Sequence, residues 1–209
     1  KMYKVNFDFE QALDIKGVPV NIDTWSFPMQ QNWNWLPYPL LGNQATNEAL
    51  AYFDAVDGDV IKSQNLFAIY DPINGWNGTL NYLEAGSGYM IKSSKVQNFS
   101  YPNYLAKPSS SKSNTVVNES QAKIANEFTK FADNMNAIVQ LPEGFETLFV
   151  YDTNGNLKGK ARNQIVGDKE LSFITIYGDV PETLVFYVGD GSNEKETTET
   201  FNFKSNNVL

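Results

Sequence analysis

The stretch Asn32-Trp33-Asn34-Trp35-Leu36-Pro37 constrains the fold of this chain more than any other. In a β-strand the two tryptophans leave one face, and Asn32 and Asn34 leave the opposite face. Each indole removes ~150–250 Å² from water when it is buried, which is worth ~4–6 kcal/mol at ~25 cal/mol per Å². We therefore predict that Trp33 and Trp35 lie in the core and that Trp35→Ala lowers the free energy of unfolding by ~3–5 kcal/mol. The alternative is an exposed platform on which sugar rings stack.

Composition limits the classes of function that remain open. The chain has 209 residues, of which 42% are hydrophobic and 14% aromatic, enough for one large or two small packed domains. A net charge of -8 argues against nucleic acid or an anionic membrane as partner. No apolar run reaches the roughly 18 residues of a membrane-spanning helix, so we predict no membrane insertion.

Cysteine and histidine are both absent from the sequence. Disulfides, thiolate metal sites, His-containing catalytic triads and the HExxH zinc motif are therefore excluded. A pair of carboxylates could still hydrolyse glycosides, but it needs a cleft, and no cleft-forming fold is recognisable in the sequence. We predict no enzymatic activity, no cofactor and no metal.

The first half of the chain is predicted to be a β-rich module with one short helix, spanning residues 1–105. Residues 46–53 have helical spacing with Thr46 as N-cap, and residues 71–78 are rich in turn formers and predict a loop. The prolines within 25–41 indicate that this segment lies at a sheet edge or carries bulges. Alternating hydrophobicity predicts strands at 2–9, 13–20, 60–62, 66–70, 79–83, 89–92 and 99–104.

The second half is predicted to be an immunoglobulin-like antiparallel β-sandwich, spanning residues 120–209. A Ser-rich linker at 106–119 precedes it, and apolar spacing within 124–132 predicts a short helix. The pair Asn154-Gly155 predicts a hairpin with a type I′ turn. Short strands separated by turn signals are typical of a sandwich, and they are expected at 136–141, 146–152, 157–162, 171–177, 183–188 and 197–203.

Several motifs in order resemble one module type. In the first half they are NWNW at 32–35, NEAL at 47–50, DGDVIKSQ at 57–64, GWNGTL at 75–80 and GSGYMIK at 86–92. They resemble the repeat modules of large secreted and surface proteins of Bacteroidetes. The second half is similar to the β-module that often follows in such proteins, through NMN at 134–136, the Gly-containing hairpin at 155–161, LSFITIYGD at 171–179 and FNFKSN at 201–206. It departs from that pattern at 150–152.

The resemblance implies a secreted or cell-surface location and a non-catalytic role in adhesion or ligand binding. The implied partners are a glycan or a host or cell-surface protein, together with other modules of the same polypeptide. It implies no catalytic residues. Two alternatives remain open: a carbohydrate-binding accessory module of a polysaccharide-degrading enzyme, and a purely structural spacer. The chain begins within a strand-like alternation, so we expect a fragment of a longer protein.

A ligand site is predicted in the loop 74–78. Glycines on both sides of Trp76 let the backbone project its indole outward, and loops carry function more often than strands do. Asn74 and Asn77 supply amide donors and acceptors for sugar hydroxyls, and Tyr70 or Tyr82 supplies a second stacking surface. The alternative is that Trp76 folds back over the core of its own module.

Three acidic turns are candidate cation sites. The segment 152–156 imitates the start of an EF-hand loop, but the sixth position is Leu157 and the twelfth is Asn163, where calcium needs Gly and Glu. A hairpin is therefore the better interpretation. The turns at 54–59 and 190–194 are predicted to be solvated loops without a metal.

Overall fold

The structure is a computed structural model that describes residues 21–102, 128, 131 and 133–209. These residues form a mainly β protein, as predicted. They divide into two compact units: the first comprises the described residues up to Ser63 and 68–102, and the second comprises Gln64–Phe67 and the described residues from 128 onward. The predicted linker 106–119 and the predicted strands 2–9 and 13–20 lie outside the described residues, so the module boundaries stay predictions.

The first unit is built from three antiparallel sheets. Strands β2, β8, β4, β5 and β6 form the largest sheet in that order, β1 pairs with β9, and β3 pairs with β7. One 3-10 turn (Ile22–Thr24) and one helix, α1 (Thr46–Ala49), complete the described part. The strands are β1 (Phe27–Met29), β2 (Asn32–Pro37), β3 (Gln44–Ala45), β4 (Val60–Lys62), β5 (Phe67–Asp71), β6 (Gly75–Gly78), β7 (Tyr82–Leu83), β8 (Gly88–Ser93) and β9 (Gln97–Phe99).

Proline placement follows the expected rule. Strand β2 is the outermost strand of the five-stranded sheet, and Pro37, which has no N–H to donate, is its last residue. Helix α1 is shorter than predicted, and Ala45 rather than Thr46 is its N-cap. The hydroxyl of Thr46 instead donates to the carbonyl of Leu80 at 2.7 Å, which ties the helix to the chain before β7.

An aromatic cluster forms the core of the first unit. Phe99 is fully buried, and its ring contacts those of Phe27, Phe53 and Tyr101. Tyr101 in turn meets Tyr38 edge-on at 5.3 Å between ring centroids. Offset and edge-to-face ring pairs of this kind are favourable beyond the area they bury.

The second unit contains one continuous six-stranded antiparallel sheet, in the order β10-β13-β12-β11-β14-β15. Each strand lies within a few residues of its predicted position. The bounds are β10 (Asp133–Val139), β11 (Thr147–Asp152), β12 (Leu157–Val166), β13 (Lys169–Gly178), β14 (Thr183–Gly189) and β15 (Glu194–Asn202).

Strand β12 belongs to two layers and thereby folds the sheet into a sandwich. Its first part, Leu157 to Arg162, pairs with β11, and its last part, Asn163 to Val166, pairs with β13. One layer therefore holds β10, β13 and the end of β12, and the other holds the start of β12 with β11, β14 and β15. The two layers together form an antiparallel β-sandwich, as the sequence predicts.

Side chains from both layers fill the core between them. One layer contributes Met135 and Ile174, and the other contributes Val150 and Phe186. Gly159 allows β12 to approach β13 closely, because a Cβ at this position would lie 2.7 Å from the carbonyl oxygen of Thr175.

The hairpin between β11 and β12 forms as predicted, but its turn type differs. The N–H of Gly155 donates to the carbonyl of Asp152, and the N–H of Asp152 donates to the carbonyl of Asn156. Only Gly155 has a positive φ, of 80°, whereas a type I′ turn needs two such residues. The loop is therefore a type I turn followed by a glycine bulge, and the type I′ prediction is wrong.

Candidate functional site

The outer side of the five-stranded sheet presents two neighbouring tryptophans. Trp33 and Trp35 leave the same face of β2, as predicted, while Leu36 points into the core. The register places Trp33 opposite Lys92 and Trp35 opposite Met90 on β8, and directly opposed residues of antiparallel strands share a face. Tyr89 and Ile91, the alternate residues of β8, are buried on the other side.

Trp35 is 58% exposed, so its predicted place in the core is wrong. Alternation along β2 defines two faces but does not say which of them is inside. The fully buried Leu36 shows that the inner face is the one that carries Asn32 and Asn34. The exposure of Trp35 is what the alternative interpretation requires, and the stacking of sugar rings on it stays a prediction.

A buried lysine lies over the ring of the half-buried Trp33. The Nζ atom of Lys62 lies 5.2 Å from the centroid of the Trp33 ring, a cation–π distance. Lys62 is on β4, opposite Met90, and is only 3% exposed. We name Trp33, Trp35, Lys62, Met90 and Lys92 the tryptophan face.

Asn34 fixes the start of the strand that carries both indoles. Its side-chain amide donates to the carbonyls of Gln30 and Asn32, at 2.7 and 2.9 Å, and its Oδ1 accepts the N–H of Gln30 at 2.8 Å. Asn32 has a positive φ of 85°, a conformation that Asn tolerates better than most residues. The alternation of Asn and Trp thus places the side chain that stabilises the start of β2 on one face of the strand and both indoles on the other face.

Trp76 lies inside the first unit and does not project from it. The last four residues of the predicted loop 71–78 form strand β6, and Trp76 is 6% exposed. Its ring lies 5.4 Å from that of Tyr70 and 6.0 Å from that of Phe53. The predicted outward projection is therefore wrong. The reason is that β6 pairs with β5, which sets Trp76 opposite Tyr70 on the inner face of the sheet.

The other members of the predicted 74–78 site are spread over several elements. Asn74 donates its amide to Asp71, and Asn77 donates its amide to the carbonyl of Gly75, so both stabilise their own hairpin. Tyr82 is 45% exposed and sits on β7, in a different sheet. The structure brings together Tyr70 and Trp76; a ligand contact by any of the five residues stays a prediction.

Asn47 holds Trp76 in place through the backbone. Its Oδ1 accepts the Trp76 N–H at 2.7 Å, and its Nδ2 donates to the Trp76 carbonyl at 3.1 Å. A Cβ added to Gly75 would lie 2.5 Å from that same Oδ1, and Gly75 has a φ of 76°. Position 75 therefore requires glycine for two reasons, the backbone angle and the space that Asn47 occupies.

We expect Asn47→Ala to lower the free energy of unfolding of the first unit by ~1–3 kcal/mol, because two backbone groups of Trp76 lose their partner. Gly75→Ala should be destabilising as well. The two changes should not be additive, since the shortened side chain at position 47 leaves room for the new methyl group. Urea unfolding of both single variants and of the double variant measures this coupling. Strictly additive losses in the free energy of unfolding would contradict the contact between the Asn47 side chain and position 75.

The carboxylates of the acidic turns make hydrogen bonds and an ion pair within the protein. The two carboxylate oxygens of the buried Asp59 accept the N–H groups of Val56 and Ser94, and Asp54 pairs with Lys95 at 2.7 Å. Asp190 accepts the N–H groups of Ser192 and Asn193. Within the described part of the chain, no three acidic side chains converge in a way that could hold a metal ion.

Comparisons with protein-family models, with curated proteins and with solved structures give no match to this chain. Among the described residues, no helix has the length and apolar character needed to cross a bilayer.

Proposed function

We propose that this chain is a non-catalytic binding module of a larger secreted or cell-surface protein and that it binds a glycan through the tryptophan face. The observation that carries the proposal is the exposure of Trp35, at 58%, beside Trp33 on one strand. Two indoles that follow each other at i and i+2 stand about 6.8 Å apart along a strand. They offer a continuous apolar strip on which pyranose rings can stack.

The surroundings of the strip suit a sugar ligand. Lys92 is exposed beside Trp33, and an ammonium group donates up to three hydrogen bonds to hydroxyl or carboxylate oxygens. The indoles stand on a hydrogen-bonded strand whose entry is fixed by Asn34, so little conformational entropy is lost on binding. The exposed indole of Trp35 beside the half-buried indole of Trp33 also forms a contiguous apolar surface, and larger surfaces of this kind mark interaction sites.

A binding role agrees better with the chain than catalysis does. The sequence has no histidine, and the titratable groups of the tryptophan face are lysines. The resemblance of the motifs to modules of Bacteroidetes surface proteins supports the extracellular location and the adhesive role. A carbohydrate-binding accessory module and a structural spacer are the competing functions.

The test is a glycan array probed with the whole 209-residue chain, followed by calorimetry on the best ligand. We expect Trp35→Ala to weaken binding by ~1–3 kcal/mol, about 5- to 150-fold, as removal of an exposed stacking residue does, while the fold is retained. Tyr52→Ala is the matched control, since Tyr52 is 67% exposed in the same unit and lies outside the tryptophan face.

Two outcomes would count against the proposal. An array without any ligand for the wild-type chain favours the spacer. Binding that survives Trp35→Ala but is lost in Tyr52→Ala, or in a Tyr82→Ala variant, moves the site away from the tryptophan face.

A further inference from the structure

The outer face of the second unit contains a concavity of about 430 Å³ that the glycan proposal does not use. Its walls come from three adjacent strands: Tyr151 on β11, Val185 and Tyr187 on β14, and Glu194 and Glu196 on β15. The register places Tyr151 opposite Val185 and Tyr187 opposite Glu196, so these side chains share the outer face. We name this concavity the tyrosine cavity.

Hydrogen bonds organise the two aromatic rings and the two carboxylates. The Tyr151 hydroxyl donates to Oε2 of Glu194 at 3.1 Å, and the Tyr187 hydroxyl donates to Oε2 of Glu196 at 3.0 Å. The two rings meet edge-to-face, with centroids 5.2 Å apart. A carboxylate has about four lone-pair sites, so each glutamate keeps acceptor capacity after it receives its tyrosine.

The tyrosines remain hydrogen-bond donors at neutral pH. The hydrogen bond to Glu196 and partial burial raise the pKa of Tyr187, and burial together with Glu194 raises the pKa of Tyr151. Each hydroxyl therefore keeps its proton and donates it in a hydrogen bond to its carboxylate.

The aromatic and acidic side chains that line the tyrosine cavity suit an organic cation. The lining contains three acidic residues and no lysine or arginine. Aromatic faces attract a cation through the ring quadrupole, and carboxylates receive its hydrogen bonds. The third acid, Asp152, is buried and accepts the N–H groups of Asn154 and Asn156, so the two glutamates are the carboxylates that face a ligand.

We propose that the tyrosine cavity binds the guanidinium group of an arginine presented by an extended segment of a partner protein. Arginine fits better than lysine because its planar fork stacks on an aromatic ring and makes two parallel hydrogen bonds to carboxylates. An extended segment fits because β15 lies at the end of the sheet, and among the described residues it has a strand partner on one side only. A strand added along β15 runs beside Glu194 and Glu196.

The experiment is an NMR titration of the whole chain, at low salt, with the capped peptide Thr-Val-Arg-Val-Thr. Amide shifts are expected on β11, β14 and β15 around the cavity. The Glu194→Gln/Glu196→Gln variant should weaken binding at least tenfold. The Glu143→Gln/Asp168→Asn variant removes the same charge at exposed positions of the same unit that lie outside the cavity lining, and it should leave the affinity within about twofold of wild type.

Peptides with Lys or Gln in place of the arginine test the assignment on the unaltered protein. Weaker binding of the Lys peptide and loss of binding with the Gln peptide support the guanidinium site. Equal binding of all three peptides, equal weakening in both double variants, or shifts confined to other strands would overturn it. Such a result leaves the glycan proposal untouched, because the tryptophan face belongs to the other unit.

Discussion

Replacing Phe99 by alanine is expected to lower the free energy of unfolding of the first unit by ~3–5 kcal/mol, the usual cost of removing a buried Phe from a core. Phe99 is fully buried, and its ring lies 4.8 Å from that of Tyr101 and 5.7 Å from that of Phe53. The substitution leaves a cavity at the centre of the aromatic cluster. Neighbouring rings cannot fill it, because they are held by contacts of their own.

Trp35→Ala is the matched control for Phe99→Ala. Since the indole is 58% exposed, the free energy of unfolding of the first unit should fall by no more than about 1 kcal/mol, because substitutions at surface positions have small effects. All four tryptophans of the chain, at positions 25, 33, 35 and 76, lie in the first unit. Their fluorescence therefore follows the unfolding of that unit alone during a urea titration. If Trp35→Ala proved as destabilising as Phe99→Ala, the exposed position of the indole would be contradicted.

Lys158→Ala is expected to destabilise the second unit by ~3–5 kcal/mol, the cost of breaking a buried ion pair from one side. The side chain of Lys158 is 8% exposed, and its Nζ lies 2.7 Å from Oε1 of Glu182 and 3.6 Å from Oδ2 of Asp152. The same ammonium lies 4.8 Å from the centroid of the Phe131 ring. Without the lysine, two poorly solvated carboxylates remain close to each other.

Two control variants separate charge from volume at this position. Lys158→Met keeps most of the side-chain volume and should still lose stability, because both carboxylates stay charged. Adding Glu182→Gln to Lys158→Met should recover part of that loss, and calorimetry measures each step. No recovery in the double variant would mean that packing, and not charge, is what Lys158 contributes.

Unfolding measured as a function of acidic pH tests the ion pairs of Lys158 with Asp152 and Glu182 independently. Burial raises the pKa of the Asp152 carboxyl, but hydrogen bonds from Asn156 and Asn154 and the charge of Lys158 outweigh it, so the net pKa is lowered. The folded state then binds this proton more weakly than the unfolded state does. Its contribution to stability is present above the ordinary pKa of 3.8 and is lost as the pH falls below it. In Lys158→Ala this contribution should be smaller.

The strands of the second unit were predictable from the sequence because alternation and turn signals agree there. In β14 the buried Phe186 and Val188 alternate with the half-buried Val185 and Tyr187. Gly155 and Gly191 mark hairpin loops at positive φ. The participation of β12 in both layers was not predictable. The local sequence pattern does not reveal where along its length a strand changes its pairing partner.

The orientation of the tryptophans could not be predicted from β2 alone. A strand with large apolar residues on one face and Leu36 on the other leaves the choice of inner face open. The signal that decides it lies on β8, where the charged Lys92 pairs with Trp33 and the buried Tyr89 pairs with Leu36. Pairing between strands some 55 residues apart has to be known first. The tyrosine cavity, assembled from β11, β14 and β15, was missed for the same reason.

The shared strand β12 also determines how the second unit comes apart. Neither layer can separate without breaking hydrogen bonds that β12 makes to β11 or to β13. Opening of the sandwich is therefore a single event, and amides at the centre of β11, β12 and β13 exchange with solvent only through global unfolding. Of the two strands at the ends of the sheet, β10 is also hydrogen-bonded to residues 207 and 209. We therefore expect local fraying to begin at β15.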